Sequence, residues 1–321
     1  MLLSVRNLAT YFFLDEGVLR AVDDVSFEIG ENETVALVGE SGCGKTIVAL
    51  SMIRLVPPPG RIVQGKILFN GEDILNVPAK RIREIRGGEI GMVFQEPGAA
   101  LNPVYTVGNQ ISEVLEMHRG LTRHEAEITA IRLLGETGIP EPEKRAKAYP
   151  FELSGGMRQR AVIALAISAR PKLLIADEPS TALDVTVQAE ILDLLRHLQE
   201  QYKMAILLIT HDLGVVAEMA QRVLVMYTGK LVEVSPTEAL FRIPKHPYTQ
   251  GLLHSVLSLG AGRRQPLRGI PGSVPDFLNL PSGCTFHPRC SIGDSSCISE
   301  FPPLREISPA RTCACYKAQV D

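Results

Sequence analysis

The 321-residue chain has no tryptophan, and aromatic residues make up only 5% of it. Its formal net charge is −3, so it also lacks the excess of lysine and arginine that is typical of proteins that bind nucleic acid. With so few aromatic rings, the chain is poorly equipped to build a surface on which bases stack. These absences argue against a nucleic-acid partner.

Signals for secretion and membrane insertion are lacking as well. The first residues, Met1–Arg6, do not have the composition of a signal peptide. No uninterrupted apolar run reaches the length of about 20 residues that a membrane-spanning helix needs. We therefore expect the protein to be made and kept in the cytoplasm, where a partner can still hold it at a membrane.

Cysteine is scarce except in the C-terminal tail. The chain has six cysteines, of which Cys43 stands alone and the others are Cys284, Cys290, Cys297, Cys313 and Cys315. A disulfide framework is disfavoured in a cytoplasmic protein. We therefore interpret the cysteine-rich tail first as a metal or cluster site.

What the chain does have is one stretch around which the rest can be organised. An apolar run of strand type leads into the motif Gly39–Thr46, which has the form G-x-x-x-x-G-K-T, and a helical pattern follows from Ile47 to Arg54. This order fits the phosphate-binding P-loop. Glycine lets backbone N–H groups turn inward toward a triphosphate, and the helix aims its N-terminus at the same phosphates.

Most positions of this loop have a predicted role. Lys45 supplies a positive charge for the β- and γ-phosphate oxygens, and the Thr46 hydroxyl is a candidate Mg²⁺ ligand. The other candidate ATP-binding positions in the loop are Gly39, Ser41, Gly42, Cys43 and Gly44. Because a thiol at a helix N-terminus can have a lowered pKa, we also expect alkylation of Cys43 to block ATP binding by its bulk.

Strand and helix patterns alternate along most of the chain, which predicts an α/β fold. Strands at about 2–10 and 21–29 precede the P-loop, helical patterns at Val107–Arg119 and Arg123–Thr137 follow, and strands resume at Lys172–Glu178 and Ala205–Thr210. We expect a P-loop NTPase core of the RecA-like kind with an antiparallel β subdomain. A helical insertion at about 98–160 completes the first domain, 1–235, and a loop-rich, proline-punctuated extension spans 236–321.

A second acidic strand end is the expected partner of a P-loop. The apolar strand Leu173–Ala176 ends in Asp177 and Glu178. Asp177 suits Mg²⁺ binding, either directly or through water. Glu178 suits a general base for the attacking water.

The segment Leu153–Gln159, with the sequence LSGGMRQ, narrows the class. It places a serine at the cap of a helix before two glycines, and such an N-terminus binds an anion. Just upstream of the acidic strand end, this segment resembles the signature of ATP-binding-cassette ATPases. The resemblance covers residues 1–235 and identifies the predicted insertion as the family's helical subdomain.

This resemblance implies roles for residues outside the P-loop. Gln95 would contact Mg²⁺ and a transmembrane partner, His211 would hold the γ-phosphate and Glu178, and Ser180–Asp184 would be the D-loop. An aromatic residue stacks on adenine in this family. Phe12 aligns best with that position, and Tyr11 or Phe13 could substitute for it.

Two such subunits meet head to tail in this family, so that ATP is held between the P-loop of one and the signature helix of the other. The residues implied to contact ATP in trans are Ser154, Gly156, Gln159 and Asp184. The implied partners are an identical or paralogous cassette, two transmembrane permease subunits and, indirectly, an extracytoplasmic peptide-binding protein. The site of action would be the cytoplasmic face of the membrane. Alternatives from other classes are a soluble cassette protein acting on nucleic acid and an iron–sulfur electron carrier.

The tail resembles the C-terminal region of oligopeptide and dipeptide importer ATPases. The resemblance rests on Arg242–Leu253, which contains His-Pro-Tyr, and on Gly283–Cys290. It implies import of di- or oligopeptides, with nickel or another small solute as the alternative. It also favours a [4Fe–4S] cluster over zinc. The implied ligands are Cys284, Cys290, Cys297 and Cys315, with Cys313 competing for the fourth position and His287 as a further zinc ligand.

Overall fold

A computed structural model of the chain describes residues 1–181, 183–257 and 269–320. The strands are β1 Leu3–Leu14, β2 Gly17–Ile29, β3 Thr34–Val38, β4 Gly60–Phe69, β5 Glu72–Asp73, β6 Ile90–Val93, β7 Leu173–Asp177, β8 Ala205–Ile209, β9 Arg222–Tyr227, β10 Lys230–Pro236, β11 Arg305–Ser308 and β12 Arg311–Cys313. The helices are α1 Lys45–Met52, α2 Ala79–Gly88, α3 Pro97–Ala100, α4 Val107–Arg119, α5 Arg123–Glu136, α6 Pro142–Ala146, α7 Gly155–Ile167, α8 Val185–Tyr202, α9 Leu213–Met219, α10 Thr237–Arg242, α11 Pro247–Leu257 and α12 Ser296–Ser299.

The chain divides into two compact units. The first contains Met1–Ile29, Thr34–Leu75 and Ile209–Asp321, and the second contains Gly30–Glu33 and Asn76–Leu208. The P-loop and the cysteine-rich tail therefore belong to the first unit. The acidic strand end and the LSGGMRQ segment belong to the second unit.

An antiparallel sheet with the strand order β2-β1-β4-β5 lies in the first unit. The β1–β2 hairpin begins with Leu3 opposite Ile29 and closes with Leu14 opposite Gly17. Its length exceeds the two short strands expected from the sequence because pairing continues right up to the turn. The predicted antiparallel β subdomain is thus present.

A second group of strands in the same unit has the order β11-β12-β10-β9-β3. β3 pairs in parallel with β9, whereas β9, β10, β12 and β11 pair antiparallel with one another. All five residues of β3 are buried, as expected for a parallel strand covered on both faces. β3 therefore gives the loop that follows it a rigid base.

The second unit combines the strand order β8-β7-β6 with most of the helices. β6 and β7 are parallel. The two helices predicted from the sequence are present as α4 and α5, and Thr122 and Glu125 form a capping box at the start of α5. The mixed α/β architecture expected from the alternating pattern is confirmed.

The tail is ordered by packing on the first unit. Cys284 and Phe286 belong to the same buried cluster as Val225, Tyr227 and Tyr248. β12 also pairs with β10, so that Cys313 lies opposite Glu233. The proline-rich segment therefore packs its apolar side chains against β9, β10 and α11. A loop-rich segment of this kind has too few apolar residues to form a hydrophobic core by itself.

Candidate nucleotide-binding site

The P-loop connects β3 to α1 through two glycines, Gly39 and Gly44, where a side chain would collide with the backbone. A Cβ on Gly39 would collide with the backbone carbonyl of Met226 and lie 2.7 Å from the Cys43 sulfur. Gly44 caps α1 with a φ of 109°, and a Cβ there would collide with the carbonyl of Ala21. The glycine positions of the motif are therefore fixed by close backbone approach as well as by backbone conformation.

Lys45 is the first residue of α1, and its side chain is buried within the loop. Its ammonium group donates to the carbonyl oxygens of Gly39 at 2.8 Å and Glu40 at 3.0 Å. The positive charge therefore lies inside the turn that precedes the helix N-terminus. Thr46, the candidate Mg²⁺ ligand, follows it in the first turn of α1. Charge, helix dipole and loop are arranged together as an anion site requires.

Cys43 differs from expectation. Its side chain is only 1% exposed, and burial raises the pKa of its thiol instead of lowering it. The effect of desolvation on the thiolate outweighs the attraction of the nearby Lys45 ammonium. The expectation of a reactive thiol at this helix N-terminus was wrong, because the side chain lies beneath the loop against Gly39.

Glu40 links the P-loop to the tail. Its carboxylate accepts two hydrogen bonds from the Arg289 guanidinium, at 2.7 and 3.0 Å, and its backbone N–H donates to the Tyr248 hydroxyl at 2.8 Å. The partner carboxylate raises the pKa of Arg289, which stays charged. No sequence signal pointed to this contact, because Glu40 and Arg289 are 249 positions apart.

His211 lies two residues after the end of β8 at Ile209. The preceding residue, Thr210, donates its backbone N–H to the carbonyl of Leu37 in β3 at 3.3 Å. The Asp212 carboxylate caps α9 by accepting from the N–H groups of Gly214 and Val215. These hydrogen bonds fix the turn that carries His211. The His211 side chain is exposed and lies in the same unit as the P-loop.

The second unit brings Gln95 to Glu178. The Glu178 Oε2 atom accepts from the Gln95 side-chain amide at 3.1 Å and from the Thr181 hydroxyl at 2.8 Å. Glu178 has a φ of 48°, a left-handed backbone conformation that few residues other than glycine adopt. Asp177 precedes it at the buried end of β7. The candidate base is therefore held in one orientation by two donors and a strained backbone.

The signature serine has the predicted cap position. The Ser154 hydroxyl accepts from the Met157 N–H at 3.3 Å at the start of α7, and Asp184 likewise caps α8 by accepting from Val187 at 3.0 Å. Gly156 lies against the Val187 side chain, so these two helix N-termini are neighbours. Ser154 and Asp184 are both exposed there.

Gln159, a member of the predicted trans set, differs from Ser154 in its surroundings. Gln159 is only 2% exposed, so it lies on the packed side of α7 and does not share the exposed face of Ser154. Ala182, in the middle of the predicted D-loop, lies outside the described residues. The helical part of the motif thus has an outward end at Ser154 and an inward end at Gln159.

Three consecutive aromatic residues of β1 have different surroundings. The Phe12 ring packs over Gly60, where an added Cβ would be 2.7 Å from it. Tyr11 donates its hydroxyl to Asp23 at 2.7 Å, and burial together with this carboxylate raises its pKa to about 12. Phe13 is exposed, with the Arg61 guanidinium 5.9 Å from its ring centre.

The cysteines of the tail converge. Cys284 donates its backbone N–H to the Cys297 carbonyl at 2.8 Å. Burial, together with the neighbouring thiols of Cys297, Cys315 and Cys290, raises the pKa of Cys284 to about 11. Cys313 instead has Glu233 as its main charged neighbour. Cys290, Cys297 and Cys315 are therefore the thiols whose charge acts on Cys284.

These thiols do not form a preformed site for a single ion. Within residues 1–181, 183–257 and 269–320, no group of three or more His, Cys, Asp or Glu side chains is placed to hold one metal ion. His287 belongs to a 3₁₀ turn at His287–Arg289, and its Nδ1 atom lies 2.9 Å from the Cys284 carbonyl oxygen. In the described part of the chain, the thiols thus influence one another electrostatically without forming a metal-binding group.

No helix in the described part of the chain is both long enough and apolar enough to cross a membrane.

Comparisons with known proteins agree with this geometry. The family model "ABC transporter" matches residues 22–181, and "Oligopeptide/dipeptide transporter, C-terminal region" matches residues 232–297. A protein of Brucella melitensis, provisionally named a peptide import ATP-binding protein, is 49% identical over 99% of this chain and 97% of its own length. The dipeptide transport ATP-binding protein DppD of Escherichia coli is 44% identical over 98% of this chain and 96% of its own.

Solved structures show the same cassette fold. The ATP-binding cassette MJ0796, in a dimeric post-hydrolysis state bound to ADP and Pi, has a TM-score of 0.66 and 26% identity over 73% of this chain and 98% of its own. From these matches and the near-full-length relatives, the chain belongs to the ATP-binding-cassette transporter ATPases, with the C-terminal region of the oligopeptide/dipeptide transporters.

Proposed function

We propose that this protein hydrolyses ATP to power the import of di- or oligopeptides through a membrane permease. The observation that carries the proposal is the joint presence, in one chain, of a cassette P-loop and the oligopeptide/dipeptide C-terminal region. The dipeptide transport relative that matches over nearly its whole length adds support. Import of nickel or another small solute by the same machinery is the alternative within the family.

The roles in hydrolysis follow from the chemistry of each residue. Lys45 binds the β- and γ-phosphates, and Thr46, Gln95 and Asp177 are the candidate ligands of Mg²⁺, which would neutralise charge on the phosphate oxygens. Glu178 takes the proton of the attacking water. Its two hydrogen-bond donors, Gln95 and Thr181, support this role because they fix the carboxylate in one orientation.

Hydrolysis also needs a group that holds the γ-phosphate beside the base, and His211 is the candidate. It follows β8 on a turn fixed by the Thr210–Leu37 and Asp212 hydrogen bonds. An imidazole N–H suits hydrogen bonding to a phosphate oxygen. Phe12 remains the proposed adenine-stacking residue.

Full activity requires a second cassette. Ser154, Gly156 and Asp184 are proposed to act on the nucleotide of the partner, which is an identical or a paralogous subunit. Gln159 belongs to the same proposed set through the family resemblance, but its side chain is buried in the single subunit. The adjacent, exposed caps at Ser154 and Asp184 support this role. So does the dimeric state of the MJ0796 cassette.

The permease partners are inferred from the family. Two transmembrane subunits would receive the motion of the cassettes, an extracytoplasmic binding protein would deliver the peptide, and no nucleic acid takes part. A cassette structurally similar to this chain, cbiO1 from Clostridium perfringens, is part of the ABC transporter complex cbiONQ; it has a TM-score of 0.64 and 27% identity over 75% of this chain and 90% of its own. The protein would then be peripheral, on the cytoplasmic face of the membrane.

The proposed domain boundary separates a nucleotide-binding domain, 1–235, from a C-terminal extension, 236–321. The end of β10 at Pro236 and the start of the second family match at residue 232 support it. Within the first domain, the helical subdomain spans about 98–160, where α4 to α6 and the start of α7 occur.

For the tail we propose a [4Fe–4S] cluster, with zinc as the alternative. The ligands would be Cys284, Cys290, Cys297 and Cys315. The electrostatic influence of Cys290, Cys297 and Cys315 on the Cys284 thiol supports this set of ligands. When bound, such a cluster would cross-link the segments of the tail that carry the four cysteines. Anaerobically purified protein without iron, sulfide or visible charge-transfer absorbance would rule the cluster out.

The function is tested by purifying the protein from its own membranes. We expect two permease subunits to copurify and the ATPase activity of the complex to rise with binding protein and dipeptide. Stimulation by nickel instead would favour the alternative within the family. Copurification with nucleic acid and no permease would contradict the proposal.

A further inference from the structure

The second residue of the P-loop, Glu40, poses an electrostatic problem. A carboxylate at this position sits in a loop that must bind a polyanion, and like charges repel. Glu40 is nevertheless part of the same turn whose Gly39 and Glu40 carbonyls receive the Lys45 ammonium. Something must therefore neutralise this carboxylate and hold it away from the phosphates.

Arg289, from the C-terminal extension, makes the required contact. Its Nη1 and Nη2 atoms donate to the two Glu40 carboxylate oxygens at 2.7 and 3.0 Å, in the two-pronged geometry that gives strong charge-assisted hydrogen bonds. The Arg289 side chain is only 4% exposed, whereas that of Glu40 is 27% exposed. The pair is thus sheltered at its arginine end and open to solvent at its glutamate end.

The guanidinium is itself fixed in place. Its Nε atom donates to the Pro271 carbonyl at 2.9 Å, and Nη1 also donates to the Tyr227 hydroxyl at 3.3 Å. Its centre lies 5.9 Å from the ring centres of Tyr227 and Phe286. Arg289 therefore cannot move to another position without breaking contacts on several sides.

A second contact acts on the backbone of the same residue. The Glu40 N–H donates to the hydroxyl of the buried Tyr248, whose ring packs against Tyr227 with centres 4.6 Å apart. The extension thus contacts Glu40 at both its carboxylate and its amide. Both contacts lie within the first unit, which also contains the whole P-loop.

We infer that Arg289 is a positioning residue for ATP binding: it neutralises Glu40 and holds it aside, so that the C-terminal extension sets the affinity of the P-loop for nucleotide. The inference rests on the proposed binding of ATP at Lys45. It does not depend on whether the neighbouring cysteines hold a cluster.

The inference is tested by equilibrium binding of a fluorescent ATP analogue to the full-length protein. Arg289→Gln leaves the Glu40 charge uncompensated, and we expect it to weaken ATP binding roughly tenfold. ADP binding should weaken less, because ADP carries less negative charge. The loss should also shrink as salt is raised, because screening reduces the repulsion at the exposed carboxylate.

A double variant separates charge from packing. In Glu40→Gln/Arg289→Gln the repelling carboxylate is gone, so ATP affinity should return to within about twofold of the wild type. A difference of that size is clearly smaller than the tenfold loss expected for Arg289→Gln, which corresponds to about 1.4 kcal/mol. If the double variant binds ATP as weakly as Arg289→Gln alone, Arg289 acts only by supporting the tail and the inference is wrong. Wild-type affinity in Arg289→Gln would overturn it equally.

Two further variants keep the test decisive. Glu40→Gln alone should bind ATP at least as well as the wild type, even if Arg289→Gln fails to fold, and a tenfold loss in Glu40→Gln would contradict the inference. Arg311→Gln is the matched control: Arg311 is another buried arginine of the extension, 7% exposed, and its carboxylate partner, Glu233, is not in the P-loop. It should lower the melting temperature without the salt-dependent loss of ATP affinity.

Failure of the proposed function gives a different result. If the wild type itself does not bind the analogue, or if Lys45→Ala binds it equally well, the P-loop is not the ATP site. If the wild type binds the analogue, Lys45→Ala does not, and Arg289→Gln binds it as well as the wild type, the proposed function stands and the role of Arg289 falls.

Discussion

Gln95 and Glu178, which are 83 residues apart in the chain, are joined by a hydrogen bond of 3.1 Å between the Gln95 amide and the Glu178 carboxylate. The same carboxylate oxygen also accepts from the Thr181 hydroxyl at 2.8 Å. The residue proposed as the general base is thus tied to the residue proposed to sense Mg²⁺ and the permease. Movement of Gln95 would release or reorient the base.

Thr181 offers the cleaner test of this arrangement, because it has no proposed metal contact. We expect Thr181→Val to lower kcat roughly tenfold with little change in KM, since a net hydrogen bond to a charged group contributes about 1.5–3 kcal/mol. Steady-state ATPase kinetics of the assembled complex measures both constants. Thr181→Ser, which keeps the hydroxyl, is the matched control and should retain most of the activity. An unchanged kcat in Thr181→Val would show that its hydroxyl does not orient the base.

Cys43 should resist modification in the native protein. Reaction with maleimide requires the thiolate, and burial both raises the pKa of this thiol and blocks access to it. Modification at pH 7 should therefore be slow and should accelerate on unfolding, as mass spectrometry of the alkylated peptide will measure. Cys43→Ser should bind ATP like the wild type. Rapid labelling of native Cys43 at pH 7 would contradict the buried position.

His246 should make the protein less stable in acid. It is buried, its Nδ1 atom accepts from the Tyr248 N–H at 3.1 Å, and burial lowers its pKa from 6.5 to about 3. Between these values the unfolded chain binds a proton that the native protein does not, so stability is complete above pH 6.5 and falls as the pH drops toward 3. The loss is at most about 1.4 kcal/mol per pH unit.

Thermal unfolding measured between pH 7 and 4 checks this slope. His246→Gln cannot titrate, so its melting temperature should start lower and depend less on pH than that of the wild type. Parallel curves for the two proteins would mean that His246 does not contribute to the acid sensitivity.

Cys313 and Cys315 should differ in their effect on the proposed cluster. Cys315 is one of the thiols that Cys284 senses, whereas Cys313 has Glu233 as its main charged neighbour. We therefore expect Cys315→Ser to lose iron and acid-labile sulfide after anaerobic purification and Cys313→Ser to keep them. The reverse pattern would assign the fourth ligand position to Cys313. If both variants contained zinc and no iron, the tail would hold a zinc site and not a cluster.

The sequence predicted those parts of the molecule whose signal is local. The P-loop, the acidic end of β7, the cap at Ser154 and the helix Val107–Arg119 each depend on residues within one short segment. Hydrophobic period, cap chemistry and glycine spacing suffice there. The predicted bounds of Val107–Arg119 match those of α4.

What could not be predicted depends on contacts between distant segments. Glu40 and Arg289 are 249 positions apart, and nothing near either residue indicates the other. The predicted direction of the Cys43 pKa shift was wrong. A sequence shows that the residue lies at a helix N-terminus, but it does not show that the side chain is buried beneath a loop. β11 and β12 were missed because they are short strands of four and three residues, and β12 joins the sheet only by pairing with the distant β10.

The central claim is that ATP hydrolysis by this protein drives peptide import. Its most direct test is uptake of a radiolabelled dipeptide by cells in which Glu178 is replaced by Gln, which removes the base and keeps the shape of the side chain. We predict that the variant protein is made in normal amounts and binds ATP, but that hydrolysis and dipeptide uptake are both abolished. Dipeptide uptake at the wild-type rate in the Glu178→Gln cells would contradict the account.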